Sequence, residues 1–258
     1  MWPRQLGRAD VGPAHGPVNA SAQLLYEPLA SYADQIAGSA YRQNAVPFVE
    51  STWRSWLASS DIDASVIDTV FSSLGKGATT RSEIRDLAAL PEQDADRRLT
   101  LFIAVLIWGR GKNNGRMRDP ILRVLNNPRR DEILASTAEL AIAGDAADAF
   151  KAWRLPGLQS AFFTKWLWAA SSAHPERCCL VQDKLVWDSL NAFGWNSRDA
   201  AGGSRNRAVR YAAYVRDARL CSEQLSSETF SVTAEDVEYT LFDIRGNFPE
   251  WIKGKQSR

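Results

Sequence analysis

One lysine and one aspartate have sequence surroundings that suit a catalytic role. The lysine comes first in the chain. Lys165 is the only charged side chain between Leu155 and Ala173. Pro156-Gly157 marks a turn, and the residues after it place apolar side chains on almost every face of a helix, which predicts burial. Apolar surroundings disfavour the protonated form of a lysine, and a neutral amine attacks carbonyl-like carbons. Lys165 is therefore a candidate nucleophile.

Asp183 is the candidate partner of this lysine. It stands where Val181-Gln182 ends and a helical pattern begins. An aspartate at that point is an N-cap that accepts backbone N–H bonds, and the same fixed carboxylate suits a position beside a developing cation. In an alternative interpretation of Lys165, its stem covers apolar surface, its amine reaches water, and the residue is structural.

The order of these residues resembles a known family. Leu155-Pro-Gly-Leu158, a following helix with Lys165, and a Val-x-Asp-x-x-Val-Trp segment ending at Trp187 are similar to the helix-hairpin-helix DNA glycosylases, the superfamily of 8-oxoguanine DNA glycosylase. Asp183 follows Lys165 by 18 residues, which is close to the family's spacing. The likeness is greatest to the bacterial and archaeal members and covers residues 151–195 most strongly.

The resemblance implies a role for each part of this segment. Lys165 would attack the sugar of a modified nucleotide, and Asp183 would hold the lysine and stabilise the transition state. The hairpin would contact the DNA backbone through Leu155, Pro156, Gly157, Gln159 and Ser160.

A glycosylase of this kind also needs a pocket for a base that has left the duplex. Ten tryptophans are present in the chain, and aromatic side chains either stack on bases or fill the core. The candidates for the wall of the base pocket are Trp108, Phe162, Trp168 and Trp187. For each of them core packing is the alternative role.

Two departures from the family pattern concern the hairpin and the pocket. The second glycine of the hairpin is replaced, since Leu158 is followed by Gln159-Ser160, and this alters the contact with phosphate. Lys165 lies about one helical turn, or about 3.6 residues, later than the family's usual lysine, so it keeps the same helix face. We expect the same chemistry in a pocket of different shape.

A glycine-rich basic loop follows the most apolar stretch of the chain. Leu99–Trp108 predicts a central buried helix, and residues 109–118 form the loop after it. The cationic residues of the loop are Arg110, Lys112, Arg116 and Arg118. Glycines let backbone approach a ligand, and Arg and Lys neutralise phosphates, so the loop is predicted to contact DNA or the base. The alternative is a solvated connection between two helices.

Helical periodicity predicts an all-α chain, and the resemblance implies a two-lobed helix-hairpin-helix glycosylase fold. Residues 1–20 are rich in glycine and proline and predict a flexible tail, followed by one helical domain over residues 21–258. Long helices are predicted over residues 22–43 and 47–59, and no β-sheet subdomain is expected before the hairpin.

Composition restricts the function classes. The formal net charge of +1 excludes a basic coat for nucleic acid, so any DNA-binding surface must come from local clusters. Three cysteines without a Cys-x-x-Cys and two histidines exclude an iron–sulfur cluster and disfavour zinc, so no metal and no cofactor is expected. The longest apolar run, Leu101–Trp108, is too short to span a membrane. We expect a reduced, cytoplasmic monomer whose partner is double-stranded DNA with a modified base.

The sequence leaves the target base and the catalytic status open. The resemblance implies excision of 8-oxoguanine or of a hypermodified base such as glucosylated hydroxymethylcytosine in phage DNA, with strand cleavage as a further step. One alternative is a non-catalytic helix-hairpin-helix DNA-binding protein in which Lys165 is structural. A helical scaffold that binds no nucleic acid is a third hypothesis.

Overall fold

The structure is a computed structural model that describes residues 19–90, 94–111 and 117–256. The predicted flexible tail lies outside the described residues except for its last two positions. Lys112 and Arg116 of the basic loop also lie outside them.

The described chain is almost entirely helical, which confirms the all-α prediction. Short 3-10 turns at Ala30–Tyr32 and Ser39–Arg42 flank the second helix. The α-helices in chain order are α1 (Ala20–Leu29), α2 (Ala33–Ile36), α3 (Glu50–Leu57), α4 (Ala64–Ser73), α5 (Arg81–Ala88), α6 (Ala95–Arg110), α7 (Arg118–Leu125), α8 (Arg130–Ala143), α9 (Ala146–Ala152), α10 (Ser160–Ser171), α11 (Lys184–Ala192), α12 (Ser197–Ala200), α13 (Arg207–Leu225), α14 (Ala234–Ile244) and α15 (Phe248–Gln256).

The N-terminal part differs from the prediction in two ways. The helix predicted over residues 22–43 is broken into short pieces, and Gly38, with a φ of +69°, ends the second of them. Two strands of two residues each, β1 (Val46–Pro47) and β2 (Ala78–Thr79), also form an antiparallel pair. Strands this short cannot show the alternation by which a sequence predicts a sheet.

The predicted central helix is confirmed. Every residue of α6 from Leu99 to Trp108 is buried, and the helix packs against α4, α5, α8 and α10. A second group of helices surrounds α13, which packs against α1, α9, α12 and α14. The buried hydrophobic residues of both groups belong to one continuous cluster, and the division into two lobes stays a prediction.

The three cysteines are buried and unpaired as disulfides. Burial raises the pKa of the Cys179 thiol to about 11 and that of Cys221 to about 12, so both thiols are protonated at neutral pH. Within the described residues there is no group of three or more His, Cys, Asp and Glu side chains that could hold a metal ion. No described helix is long and apolar enough to cross a membrane.

Candidate active site

The predicted hairpin turn joins α9 to α10. Gly157 has a φ of +107°, and a Cβ added there would lie 2.9 Å from the carbonyl oxygen of Pro120, so only glycine fits. The side chain of Leu155 is buried and anchors the turn, which leaves its backbone as the part that could meet DNA. The exposed residues of the turn are Pro156, Gly157 and Gln159.

Lys165 lies in the second turn of α10, and its amine ends beside Asp183. Nζ donates a hydrogen bond to Oδ2 of Asp183 at 3.1 Å and to the carbonyl oxygen of Ala161 at 3.0 Å. The lysine side chain is 12% exposed. Its amine therefore faces the carboxylate that the resemblance implies as its partner and one backbone carbonyl oxygen. The carbonyl belongs to the preceding turn of α10, whereas Asp183 comes from a separate segment whose position the apolar pattern of α10 does not predict.

The stem of Lys165 passes over Gly109, near the end of α6. A Cβ at Gly109 would lie 2.8 Å from Cδ of Lys165 and 3.8 Å from the ring of Phe162. Glycine inside a helix is less stable than alanine by about 1 kcal/mol. The space that it leaves for the lysine is the structural reason for a glycine at this position.

Asp183 is the N-cap of α11, as predicted. Its Oδ1 accepts hydrogen bonds from the backbone N–H groups of Leu185 at 3.1 Å and Val186 at 3.2 Å, and its Oδ2 contacts Lys165. The hydroxyl of Thr164 accepts a hydrogen bond from the backbone N–H of Gln182 at 3.1 Å, which ties α10 to the segment before Asp183. The carboxylate is thus fixed through one oxygen while the other meets the amine.

A cavity of about 210 Å³ lies beside this pair, and both Lys165 and Asp183 line it. The rest of the wall comes from the ends of α5 and α6, from α14 and from the chain around β1. The other polar side chains of the wall are Gln43, Arg81, Arg110, Glu238 and Tyr239. Its apolar side chains are Val46, Trp108, Val181 and Phe242.

Three buried polar atoms of cavity residues have no hydrogen-bond partner in the described part of the chain. They are Oε1 of Gln43, Nε of Arg81 and Nε1 of Trp108. Buried polar atoms in proteins nearly always have a partner, and the exceptions call for an explanation. One acceptor and two donors are therefore left over in residues that surround the cavity.

A buried charge cluster supports the same wall. Arg81 contacts Glu238 and lies 3.5 Å from Glu235, and Arg85 pairs with Glu235 at 2.6 Å. Burial by itself would lower the pKa of Arg81, but the charges of Glu238 and Glu235 outweigh it and leave the pKa raised. Burial raises the pKa of Glu238, and the positive charge of Arg81 opposes that shift. Each charge is held in the core by its partners.

The comparison with known proteins fits this arrangement. A family model described as "Putative 8-oxoguanine DNA glycosylase OGG-like protein" matches residues 39–242. That span includes the hairpin, Lys165, Asp183 and the walls of the cavity.

The chain belongs to this OGG-like family. Membership indicates a DNA glycosylase whose partner is DNA. Comparison with curated proteins and with solved structures gives no significant match.

The predicted aromatic residues of this OGG-like protein lie in four different places. Trp108 lines the cavity. Trp168 is fully buried behind it, with its ring 5.1 Å from that of Trp108 and its Nε1 donating to Glu235. Phe162 lies beside Gly109, and Trp187 lines a second cavity. Of these four residues, the structure brings Trp108 to the cavity beside Lys165.

The structure describes only the two ends of the basic loop. Arg110 lines the cavity, and Gly111 follows it with a φ of +61°. Arg118 begins α7, where its Nη2 donates to the hydroxyl of Ser59 at 3.1 Å. The DNA contacts predicted for the loop stay predictions, and two of its four cationic residues are outside the described chain.

Sequence reasoning missed the residues that α5, α14 and the chain before β1 bring to the cavity, chiefly Gln43, Arg81 and Glu238. One signal was available in α14. Glu238 and Phe242 are four residues apart, which places them on one helix face and sets a carboxylate beside an aromatic ring. For Arg81 and Gln43 the sequence offers no comparable signal.

Proposed function

We propose that this OGG-like protein excises a modified base from double-stranded DNA and that Lys165 is the nucleophile. The observation that carries the proposal is the 3.1 Å contact between Nζ of Lys165 and Oδ2 of Asp183 at the wall of a cavity. An amine and a fixed carboxylate within hydrogen-bond distance match the arrangement of an activated nucleophile and its base. The family membership supports the same chemistry.

The reaction begins when Oδ2 of Asp183 takes a proton from Nζ of Lys165. The neutral amine attacks C1′ of the flipped nucleotide. The bond between C1′ and the base breaks, and the electron pair of this bond leaves with the base, which gains a proton. Asp183 gives its proton to the departing base and, as a carboxylate again, stabilises the positive charge that develops on the sugar. The amine adduct opens to a Schiff base. Hydrolysis then frees Lys165 and leaves an abasic site, or β-elimination expels the 3′ phosphate and nicks the strand.

The cavity would hold the flipped base. A base edge carries both donors and acceptors, and the partnerless atoms of Gln43, Arg81 and Trp108 supply one acceptor and two donors. The Glu238 carboxylate and the Phe242 ring add an acceptor and an apolar surface to the wall. The target is 8-oxoguanine or a hypermodified base such as glucosylated hydroxymethylcytosine of phage DNA, in repair or in defence respectively.

Borohydride trapping tests the proposal and identifies the base. The purified protein is incubated with a duplex containing 8-oxoguanine or with phage DNA containing glucosylated hydroxymethylcytosine, reduced, and run on a denaturing gel. We expect a covalent protein–DNA band with one of the two DNAs. The band is expected to vanish in Lys165→Gln and to persist in Lys184→Gln, a matched control because Lys184 is exposed and pairs with Asp188 on the surface.

The remaining outcomes separate the alternatives. Abasic sites without a trapped band, lost in Asp183→Asn, would assign Asp183 as the residue that activates water and would make the enzyme monofunctional. If neither DNA yields an adduct or an abasic site while Lys165→Gln and the wild type bind DNA equally, the protein is the non-catalytic DNA-binding alternative.

A further inference from the structure

A second cavity lies on the other side of the segment that carries Asp183. Val181 and Asp183 line the first cavity, whereas Gln182 lines the second, so the side chains of this extended segment alternate between the two. The second cavity has a volume of about 150 Å³. Its polar side chains are Ser160, Gln182, Arg207 and Arg210.

The cations of this cavity lack the partners that arginines usually have. Nη2 of Arg207 lies 3.4 Å from the hydroxyl of Ser160, and Arg210 donates to the hydroxyl of Ser197 at 2.8 Å and 2.5 Å. Within the described ranges, no carboxylate lies within 4.0 Å of either guanidinium. Two positive charges one helical turn apart therefore remain without a negative partner.

Two further groups point to an anion. Gln182 is 4% exposed, and its Nε2 is a buried donor without a hydrogen-bond partner in the described chain. Ser160 is the first residue of α10, and the side chain of the N-cap residue Gln159 makes no capping hydrogen bond. The positive end of a helix dipole and its free N–H groups favour an anion. The lining contains no carboxylate that would repel one.

We propose that Ser160, Gln182, Arg207 and Arg210 form a phosphate-binding site that takes a backbone phosphate of the DNA strand. Two arginines, an amide and a hydroxyl are donors that match phosphate oxygens. Ser160 precedes Lys165 by five residues on α10, which is about 7.5 Å along the helix axis. The two residues are also about 140° apart around the helix, so a strand whose sugar lies at Lys165 brings a neighbouring phosphate, not the one joined to that sugar, to the site. The inference rests on the proposed function, since it takes DNA as the partner.

The test measures how the affinity for DNA depends on salt. Each neutralised phosphate contributes a slope of about −0.9 to the logarithm of the binding constant against the logarithm of the salt concentration. Duplex binding is followed by fluorescence anisotropy between roughly 50 and 200 mM salt, in a Lys165→Gln background that prevents turnover. We expect the added substitutions Arg207→Gln and Arg210→Gln to weaken binding, and the double variant to make the slope shallower by about one.

Arg129→Gln is the matched control, because this substitution removes the same charge from an exposed arginine that precedes α8 and pairs with Glu132. Gln182→Glu adds a negative charge that repels phosphate, and it is expected to weaken DNA binding more than Gln182→Leu. Thermal melting of each variant separates lost binding from lost folding.

An unchanged slope in the double variant, with DNA still bound by the Lys165→Gln parent, would overturn the site and leave the proposed glycosylase intact. The same holds if Arg129→Gln changes the slope equally. Failure of the parent to bind any duplex would instead count against the proposed function. Inorganic phosphate is the second probe: a phosphate-dependent rise in melting temperature that the double variant loses, without a change in DNA slope, would assign free phosphate and overturn the DNA-backbone proposal.

Discussion

Two pairs of opposite charges line the same cavity, and they differ in burial and in number of partners. Lys165 and Asp183 are 12% and 16% exposed and meet at 3.1 Å. The Arg81 and Glu238 side chains are both 3% exposed. Arg81 also lies near Glu235, and its guanidinium is 4.3 Å from the centre of the Trp168 ring. One pair borders the open cavity, and the other is part of the core.

The difference in burial distinguishes a pair of charges that can react from a pair of similar chemistry that stabilises the fold. The amine of Lys165 can exchange its carboxylate partner for a substrate, because solvent or substrate reaches it. Arg81 is held by two carboxylates and an aromatic ring, and a buried charge that loses its partner destabilises the fold by several kcal/mol. We therefore expect changes at the first pair to alter activity and changes at the second to alter stability.

The largest expected effect is on the rate after substitution of Asp183. Asp183→Asn is expected to lower the rate of base excision by roughly 10²–10⁴-fold, because the amine loses its proton acceptor. Asparagine is as good an N-cap as aspartate, so the free energy of unfolding should stay nearly constant. Single-turnover excision on the substrate that traps, together with urea unfolding, measures both quantities.

Asp183→Ala sharpens this prediction. It removes the same acceptor but also the N-cap, so it should be as inactive as the asparagine variant and less stable by about 0.5–2 kcal/mol. Full activity in the asparagine variant would contradict the role of Asp183.

Substitution of the buried pair is expected to act on stability. Arg81→Gln leaves Glu238 without its cation and should reduce the free energy of unfolding by about 3–5 kcal/mol. Arg129→Gln removes an exposed arginine that pairs with Glu132 and should leave the free energy of unfolding almost unchanged. Chemical denaturation of the two variants and the wild type measures the three free energies of unfolding.

The loss in Arg81→Gln should also depend on pH. Burial already raises the pKa of Glu238 above its ordinary value, and removal of Arg81 raises that pKa further. A carboxyl whose pKa is raised in the folded state contributes stability below its unfolded pKa, and this contribution is lost as the pH rises through the folded pKa. The variant should therefore be more destabilised at about pH 8 than at about pH 5. The opposite trend would show that Arg81 does not stabilise a charged Glu238.

The smallest substitution tests the space beside Lys165. Gly109→Ala places a methyl group 2.8 Å from Cδ of Lys165, so the stem must move and the amine with it. A displacement of about 1 Å costs about 10²-fold in rate, and we expect a loss of up to that size. Stability should stay equal or rise by up to about 1 kcal/mol, because alanine favours a helix.

Gly254→Ala is the control for this substitution. It lies in helix α15, and no atom of the described residues is within 4 Å of the added methyl group, so it gives the same helical gain without contact to the site. Excision assays measure the rate, and thermal melting measures the stability, of both variants. Equal activity of Gly109→Ala and the wild type would mean that the lysine does not need this space.

The hairpin and the capped aspartate could be predicted because their signals are local. The turn depends on Pro156-Gly157, and the N-cap depends on Asp183 and the residues just after it. The cavity wall could not be predicted in the same way. Arg81 and Glu238 meet across a separation of 157 residues, and neither carries a local sign of burial. The aromatic candidates show the same limit, since Trp108 reaches the cavity and Trp168 lies behind it.

Local sequence patterns were sufficient to predict the all-α architecture, the central helix and the segment that carries Lys165 and Asp183. These features follow from backbone hydrogen bonds and apolar periodicity within a few residues of each position. The tertiary structure alone decided which oxygen of Asp183 meets the amine, why position 109 is a glycine, and which polar groups line the cavity. Those properties arise where α5, α6, α10 and α14 converge, and contacts between distant segments leave no periodic pattern in any one of them.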